Sequence, residues 1–424
     1  MLEHDRPVTR AYVLHPDLKS DRTRRAAEPA LDEAVALAGA LPDLSVEGAE
    51  IVPLPRLHPG ALFGSGKIAE LKERLKAAEI ELVLIDGPVT PVQQRNLEKE
   101  WDVKLLDRTG LILEIFSDRA RTAEGVLQVE MAALSYQRTR LVRAWTHLER
   151  QRGGLGFVGG PGETQIEADR RAIDMQLKAL RAQLDKVVKT RTLHRAARAK
   201  VPFPIVALVG YTNAGKSTLF NRLTGAEVFA KDMLFATLDP TMRQIELPPG
   251  DKVILSDTVG FISDLPTELV AAFRATLEEV LDADLILHVR DISHNQTEEQ
   301  AEDVRAILTS LGVGDEAPVI EVWNKIDALD ADARAAVETR ADRDEDVFAV
   351  SALSGDGLDS LLAAVGHILE EPRTEARLSL PFSAGKRRAW LFETGVVESE
   401  RQTDDGFELD VLWTRTQAAR YAKL

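Results

Sequence analysis

The stretch "GYTNAGKS", Gly210 to Ser217, follows the apolar run Ile205 to Val209 and precedes a helical pattern reaching Leu223. It fits G-x-x-x-x-G-K-[ST] in the strand, loop and helix order that gives this pattern its meaning. Its glycines allow backbone N–H groups to close around phosphates, and the start of the following helix adds its positive end. The expected phosphate cradle is therefore Gly210, Tyr211, Thr212, Asn213, Ala214, Gly215, Lys216 and Ser217. Within it Lys216 is placed to neutralise the β- and γ-phosphates and the Ser217 hydroxyl to bind Mg²⁺. A loop of this kind requires an α/β sheet around it.

A second segment carries similar letters. "FGSGKIAEL", Phe63 to Leu71, also sets Gly-Ser-Gly-Lys before a helix, but it lacks the earlier glycine and follows no apolar strand. Gly64 and Gly66 are expected to be turn residues.

Behind the phosphate loop, "KVILSD" ends a strand at Asp257, and Asp257, Thr258, Val259 and Gly260 form Asp-x-x-Gly. A carboxylate there can hold a Mg²⁺-bound water, and the Gly260 N–H can meet the γ-phosphate. The next residue is Phe261, where many nucleotide-hydrolysing switches carry a water-orienting glutamine. "NKID", Asn324, Lys325, Ile326 and Asp327, ends the strand "PVIEVW". The Asp327 carboxylate can accept from N1–H and the 2-amino group of guanine, a pair that adenine lacks. "VSALSGDG" ends another strand, and from it Ser351, Ala352 and Leu353 are expected at the base, with the Ala352 N–H facing its oxygen. All four motifs in order, each at a strand end, identify a GTPase domain with GTP and GDP as ligands. The first switch falls in "FATLDPT", where Phe235, Ala236, Thr237, Leu238 and Asp239 should line the nucleotide. Spacing alone does not choose between Thr237, Asp239 and Thr241.

With 424 residues, 44% of them hydrophobic, the chain can bury more than one core. Residues 10 to 118 alternate short strands with helical stretches and predict a small parallel α/β domain, 1–120. Leu127, Met131, Leu134, Leu141, Trp145 and Leu148 form a helix stripe, as do Ile166, Ile173, Leu177, Leu180, Leu184 and Val187. Between them lies "GGLGFVGGPG", too rich in glycine to stay helical. The expectation is an antiparallel helical hairpin, 121–200, with a glycine-rich tip. The GTPase domain is expected at 201–372. A small C-terminal α+β domain is expected at 373–424, with strands in "AWLFETGVVES" and "GFELDVLWT".

Charge is unevenly spread. The net charge is −16, yet Arg138 to Lys200 holds 15 Lys/Arg against 6 Asp/Glu. An acidic chain with one basic segment is not an indiscriminate nucleic-acid binder, so no DNA is expected and RNA is expected only at the hairpin. The chain has no cysteine and no run long enough for a membrane span, in keeping with a cytoplasmic protein.

The chain resembles the HflX family of ribosome-binding GTPases, a branch of the Obg-like translation GTPases. The resemblance rests on "FGSGKIAEL", "DRTGLILEIFSDRARTAEGVLQVEMAAL", "GPGETQIEADRR", "GYTNAGKSTLFNRLTG", "FATLDPT" and "DTVGFI". It implies that Thr237 is the switch threonine, a Mg²⁺ ligand with Ser217 and Asp257, and that Phe261 replaces the glutamine. Lys216, Thr237 and Gly260 are then the residues nearest the hydrolytic step. Asn213 resembles the P-loop asparagine of potassium-dependent GTPases, so K⁺ joins Mg²⁺ among the expected ions; the alternative is that Asn213 only closes the turn. Relatives usually carry an arginine in a shorter glycine loop, whereas this sequence has Phe157-Val158-Gly159-Gly160, with Arg150 and Arg152 at the base. The resemblance implies binding to the large ribosomal subunit and its RNA, and action on stalled or stressed ribosomes, including subunit separation. The alternatives are a GTP-dependent RNA or ribosome maturation factor, and a GTP switch with protein partners only.

Overall fold

The computed structural model describes residues 8–19, 26–151, 161–198, 203–226, 234–235, 237–238, 241–248, 250–263, 280–313, 318–370 and 373–422, with the backbone alone at 141–151, 161–166, 188–198, 415–416 and 419. The chain divides into two compact units, residues 1–361 and 362–424.

The first unit opens with β1 (Thr9–Leu18), α1 (Ala27–Ala38), β2 (Leu44–Leu54), α2 (Ser65–Ala77), β3 (Leu82–Ile85), α3 (Pro91–Trp101) and β4 (Lys104–Asp107). The strands form a parallel sheet in the order β2-β1-β3-β4. All residues of β3 are buried, as a parallel strand covered by helices on both faces must be. α3 starts where the sequence dictates. Thr90 accepts from the Gln93 N–H, the Gln93 side chain reaches back to the Thr90 N–H, and Pro91 takes the first helical position.

The strand-and-helix alternation gave no sign of the next element, α4 (Arg108–Arg119), capped by Asp107 through the Gly110 N–H at 2.9 Å. Leu111, Ile112, Leu113, Ile115 and Phe116 are all buried, while Glu114, Ser117 and Asp118 form an exposed polar side, so the helix is amphipathic. Two long helices follow, α5 (Ala123–Gln151) and α6 (Pro161–Arg198), joined by Arg138–Asp174 at 2.8 Å, a pair nearly equidistant from the connecting residues. On α6 the expected stripe faces inward: Leu177 and Leu180 are buried, and Ile173, Leu184 and Val187 half-buried. On α5 the face is rotated. Val129 and Ala132 are buried apolar positions, while Leu127, Met131 and Leu134 are half-buried, because this helix also packs on the first sheet's core. The side chains of Leu141, Trp145, Leu148, Arg150 and Ile166, and the whole of 152–160 in the glycine-rich tip with Arg152, lie outside the described residues.

The second sheet of this unit comprises β5 (Ile205–Gly210), β6 (Thr241–Glu246), β7 (Lys252–Asp257), β8 (Leu285–Asp291), β9 (Val319–Asn324) and β10 (Val347–Ala349), in the order β10-β9-β8-β5-β7-β6. Only β6 is antiparallel. Around it the helices are α7 (Lys216–Thr224), α8 (Thr297–Leu311) and α9 (Ala331–Ala341), followed in the chain by α10 (Leu358–Leu369), which begins in the first unit and ends in the second. β5 has β7 on one side and β8 on the other, so the chain reverses its direction of growth at the end of β5. Open α/β sheets bind ligands at such a point.

The second unit is a three-stranded antiparallel sheet, β11 (Arg373–Pro381), β12 (Val397–Thr403) and β13 (Gly406–Thr414), in the order β11-β13-β12, with α11 (Gly385–Glu393) and α12 (Arg415–Tyr421). "GFELDVLWT" is β13. "AWLFETGVVES" is strand only in its last part: Ala389 to Glu393 is the end of α11, with Leu391 buried, and Gly395 at φ +67° makes the turn into β12.

Candidate functional site

β5 stops at Gly210, where φ is +152° and a Cβ would sit 2.1 Å from the Val289 carbonyl oxygen on β8. Gly215 has φ +93°, and a Cβ there would lie 2.2 Å from Asn324 Nδ2. Both glycines of the motif are therefore required by space as well as by dihedral angle. Between them Asn213 is exposed with φ +59°, a conformation that asparagine tolerates.

Lys216, the first residue of α7, is buried. Its Nζ donates to the carbonyls of Gly210 at 3.1 Å and Tyr211 at 2.8 Å. Burial pulls its pKa down from 10.5 to about 8, against the opposing charge of Asp257. A cation stripped of water and facing no ion-pair partner among the described residues is prepared for an incoming polyphosphate.

Ser217, Thr237 and Asp257 converge. The Ser217 hydroxyl donates to Asp257 Oδ2 at 2.7 Å, the Thr237 hydroxyl donates to the same oxygen at 2.9 Å, and the two hydroxyl oxygens lie 2.8 Å apart. Burial pushes the Asp257 carboxyl pKa up, opposed by Lys216 and the two hydroxyls. Its second oxygen, Oδ1, is buried without a hydrogen-bond partner among the described residues. An all-oxygen donor set around one under-satisfied carboxylate fits a hard divalent cation. Thr241, the other threonine of the switch, instead opens β6 opposite Asp257. Leu238 is buried; Ala236 and Asp239 lie outside the described residues.

Thr258 donates to the Leu208 carbonyl at 2.6 Å, and Val259 is buried, so the end of β7 is fixed beside β5. A Cβ on Gly260 would meet the Cα of Thr212 at 2.9 Å and Lys216 Nζ at 3.1 Å, so Gly260 rests directly on the phosphate loop. The backbone of Phe261 explains its position. Its N–H donates to the Gly210 carbonyl at 3.1 Å and its carbonyl accepts from the Thr212 N–H at 2.7 Å. Its ring is 1% exposed, within the same hydrophobic cluster as Phe235, Leu238 and Ile262. A glutamine amide could not be buried there without partners. Phe261 thus clamps the switch to the loop, and its own side chain has no group that could orient water.

At the base end, Asn324 donates to the Ala214 carbonyl at 2.8 Å and accepts from the Ala352 N–H at 2.9 Å. The Ala352 N–H, expected to face the base, is instead engaged by Asn324, which ties the phosphate loop to the loop after β10. Asp327 Oδ1 accepts from the Ser351 hydroxyl at 2.5 Å. Lys325 takes φ +69° and pairs with Asp291 at 2.8 Å, Ile326 is buried, and Leu353 is 71% exposed. Asp291, which holds Lys325 from the adjacent strand and accepts from the Ser293 N–H and hydroxyl, lies outside the four sequence patterns because its partner Lys325 is brought to it by strand pairing. Tyr211 was expected only as a loop residue. Its hydroxyl also meets Glu33 and Ser263, contacts that no local spacing announces.

Four family profiles cover the chain in order: "GTP-binding GTPase N-terminal" at 28–117, "GTP-binding GTPase Middle Region" at 119–198, "50S ribosome-binding GTPase" at 205–325 and "HflX C-terminal domain" at 336–423. The chain is 47% identical to the GTPase HflX of Magnetococcus marinus over 405 residues, which is 96% of this chain and 92% of that one. The chain belongs to the HflX family of GTPases. It is also 46% identical to GTPase HflX of Escherichia coli K12 over 354 residues, spanning 82% of this chain and 81% of that one. Among solved structures, a GTP-binding protein from Sulfolobus solfataricus in complex with GDP aligns with a TM-score of 0.45 at 23% identity, covering 85% of this chain and 98% of that chain. As an HflX-family member this chain is a P-loop GTPase that binds GTP and GDP and hydrolyses GTP.

Proposed function

We propose that the protein hydrolyses GTP in association with the large ribosomal subunit, reaching its RNA through the basic helices of 121–200, and that it acts on stalled or stressed ribosomes, including subunit separation. The observation that carries this is the exposed row Arg170, Arg171, Lys178 and Arg181 on α6, in a chain of net charge −16. Such a chain meets polyphosphate favourably in one orientation only. The match of residues 205–325 to a family described as ribosome-binding supports the same partner.

Within the site, Mg²⁺ would be held by Ser217, Thr237 and Asp257 and would supply charge neutralisation at the β- and γ-phosphates. The chain itself contributes the Lys216 ammonium, the loop N–H groups and Gly260, pressed against the loop by Phe261. Asp327 selects guanine. Phe261 stands where a water-orienting glutamine would, so hydrolysis by the free protein is slow, and either K⁺ near Asn213 or the ribosome supplies the missing help.

The test is sedimentation with ribosomal subunits in GDP and in a non-hydrolysable GTP analogue, with charge reversal at Arg171 and Lys178. Tight binding in the analogue that weakens with salt and with the reversals supports the proposal. Failure to sediment in either nucleotide would sink it and leave a switch with protein partners.

A further inference from the structure

We infer that Arg108, Glu33 and Tyr211 form a positioning bridge through which the N-terminal sheet layer holds residues 260–263 against the phosphate loop and so sets the rate of GTP hydrolysis. Ser263 is 4% exposed and tied at both backbone groups: its N–H donates to the Tyr211 hydroxyl at 2.9 Å, and its carbonyl accepts from Arg108 Nη2 at 2.8 Å. Tyr211 is the second residue of the phosphate loop, whereas Arg108 opens α4 at the end of the other sheet. The Tyr211 hydroxyl also donates to Glu33 on α1, and the Ser263 hydroxyl donates to Asp303 on α8.

The bridge is charged and buried. Arg108 pairs with Glu33 at 2.5 Å and with Asp86 at 2.7 Å, and Asp86 pairs in turn with His15 at 2.8 Å. Burial alone would push the Asp86 carboxyl pKa up, but His15 and Arg108 outweigh it and hold it below its ordinary value. Groups this deeply buried cannot lose one partner without leaving another uncompensated, so they hold one arrangement or break together. The segment they anchor begins at Gly260, whose Cα has no room to approach Thr212 and Lys216 more closely, and it passes through Phe261, already bonded to both sides of the loop. The first switch touches the same layer: the edge of one ring meets the face of the other in the pair Phe116–Phe235, centroids 4.7 Å apart. Arg108 is thus a positioning residue, acting through Ser263 on Gly260, and the N-terminal layer can transmit a disturbance to the site where the γ-phosphate is cleaved.

The experiment uses the full chain without ribosomes, so its outcome is separate from ribosome binding. Turnover at saturating GTP and affinity for GDP are measured for Arg108→Gln, Arg108→Lys, Glu33→Gln and Tyr211→Phe, with thermal melts as the check on folding. Arg108→Gln and Tyr211→Phe are expected to lower turnover by about fivefold or more, while GDP affinity stays within about twofold, because a diphosphate does not extend to Gly260. Arg108→Lys, which still donates to the Ser263 carbonyl, is expected to recover most of that turnover. Glu33→Gln combined with Tyr211→Phe should slow the protein no more than the worse single variant. Glu33→Gln and Tyr211→Phe preserve shape, so they decide the matter if Arg108→Gln fails to fold. Unchanged turnover in folded Tyr211→Phe and Glu33→Gln overturns the inference, as does a parallel loss of turnover and GDP affinity.

Discussion

Two segments of this protein read Gly-x-Gly-Lys or Gly-Lys ahead of a helix, and they have opposite fates. At Lys216 the flanking glycines occupy φ values of +152° and +93°, and the lysine is buried with, among the described residues, carbonyl partners only. At Lys67 neither Gly64 nor Gly66 adopts positive φ, and a Cβ at Gly66 would meet nothing within 4 Å. The Lys67 ammonium donates to Glu50 and, at 2.9 Å, to Glu70. Burial pulls the Lys67 pKa down, but the two carboxylates reverse this and raise it above 10.5, whereas that of Lys216 falls to about 8. A phosphate site therefore depends less on the letters than on a backbone that turns its N–H groups inward and a cation that no carboxylate has neutralised.

The comparison breaks most easily at the glycines. Gly210→Ala and Gly215→Ala place a methyl group inside another residue's van der Waals radius at an unfavourable φ. Each should abolish GTP and GDP binding in a fluorescent-nucleotide titration, a loss of about a hundredfold or more, whereas Gly66→Ala should change affinity by less than about twofold. Measurable binding by Gly215→Ala would mean that the loop can reshape itself.

The lysines give the next largest contrast. Lys216→Ala should remove productive GTP binding, while Lys67→Ala should cost at most about 1 kcal/mol of stability, the scale of a partly exposed ion pair, with hydrolysis unchanged. Urea melts and steady-state turnover of both variants check this.

Specificity comes third. Asp327→Asn should weaken GTP by about 100-fold and favour xanthosine triphosphate, because an amide donates where the carboxylate accepted. Equal affinities of the variant for the two nucleotides would remove Asp327 from base recognition.

The smallest effect is in pH. Lys216 is already charged below pH 8, so GTP binds there without proton uptake. Above it the ammonium must be regenerated, so GTP affinity should fall as pH rises, by at most about tenfold per unit up to the ordinary lysine value. Calorimetry in two buffers would show the proton uptake. Lys67, raised rather than lowered, should contribute nothing in that window.

By itself the sequence determined what local backbone chemistry can encode: the phosphate loop between β5 and α7, the ends of β7 and β9, the capped start of α3 and the inward stripe of α6. In each, the signal and its consequence lie within a few residues, where dihedral preference and periodicity act. Only the tertiary structure decided the rest. α5 turned to satisfy a second partner, and the Ala352 N–H went to Asn324. The grip of Arg108 on Ser263 joins residues 155 positions apart, and burial gives that contact its strength. No arrangement of neighbours along the chain can announce a pairing that exists only once water has been excluded from between two sheets.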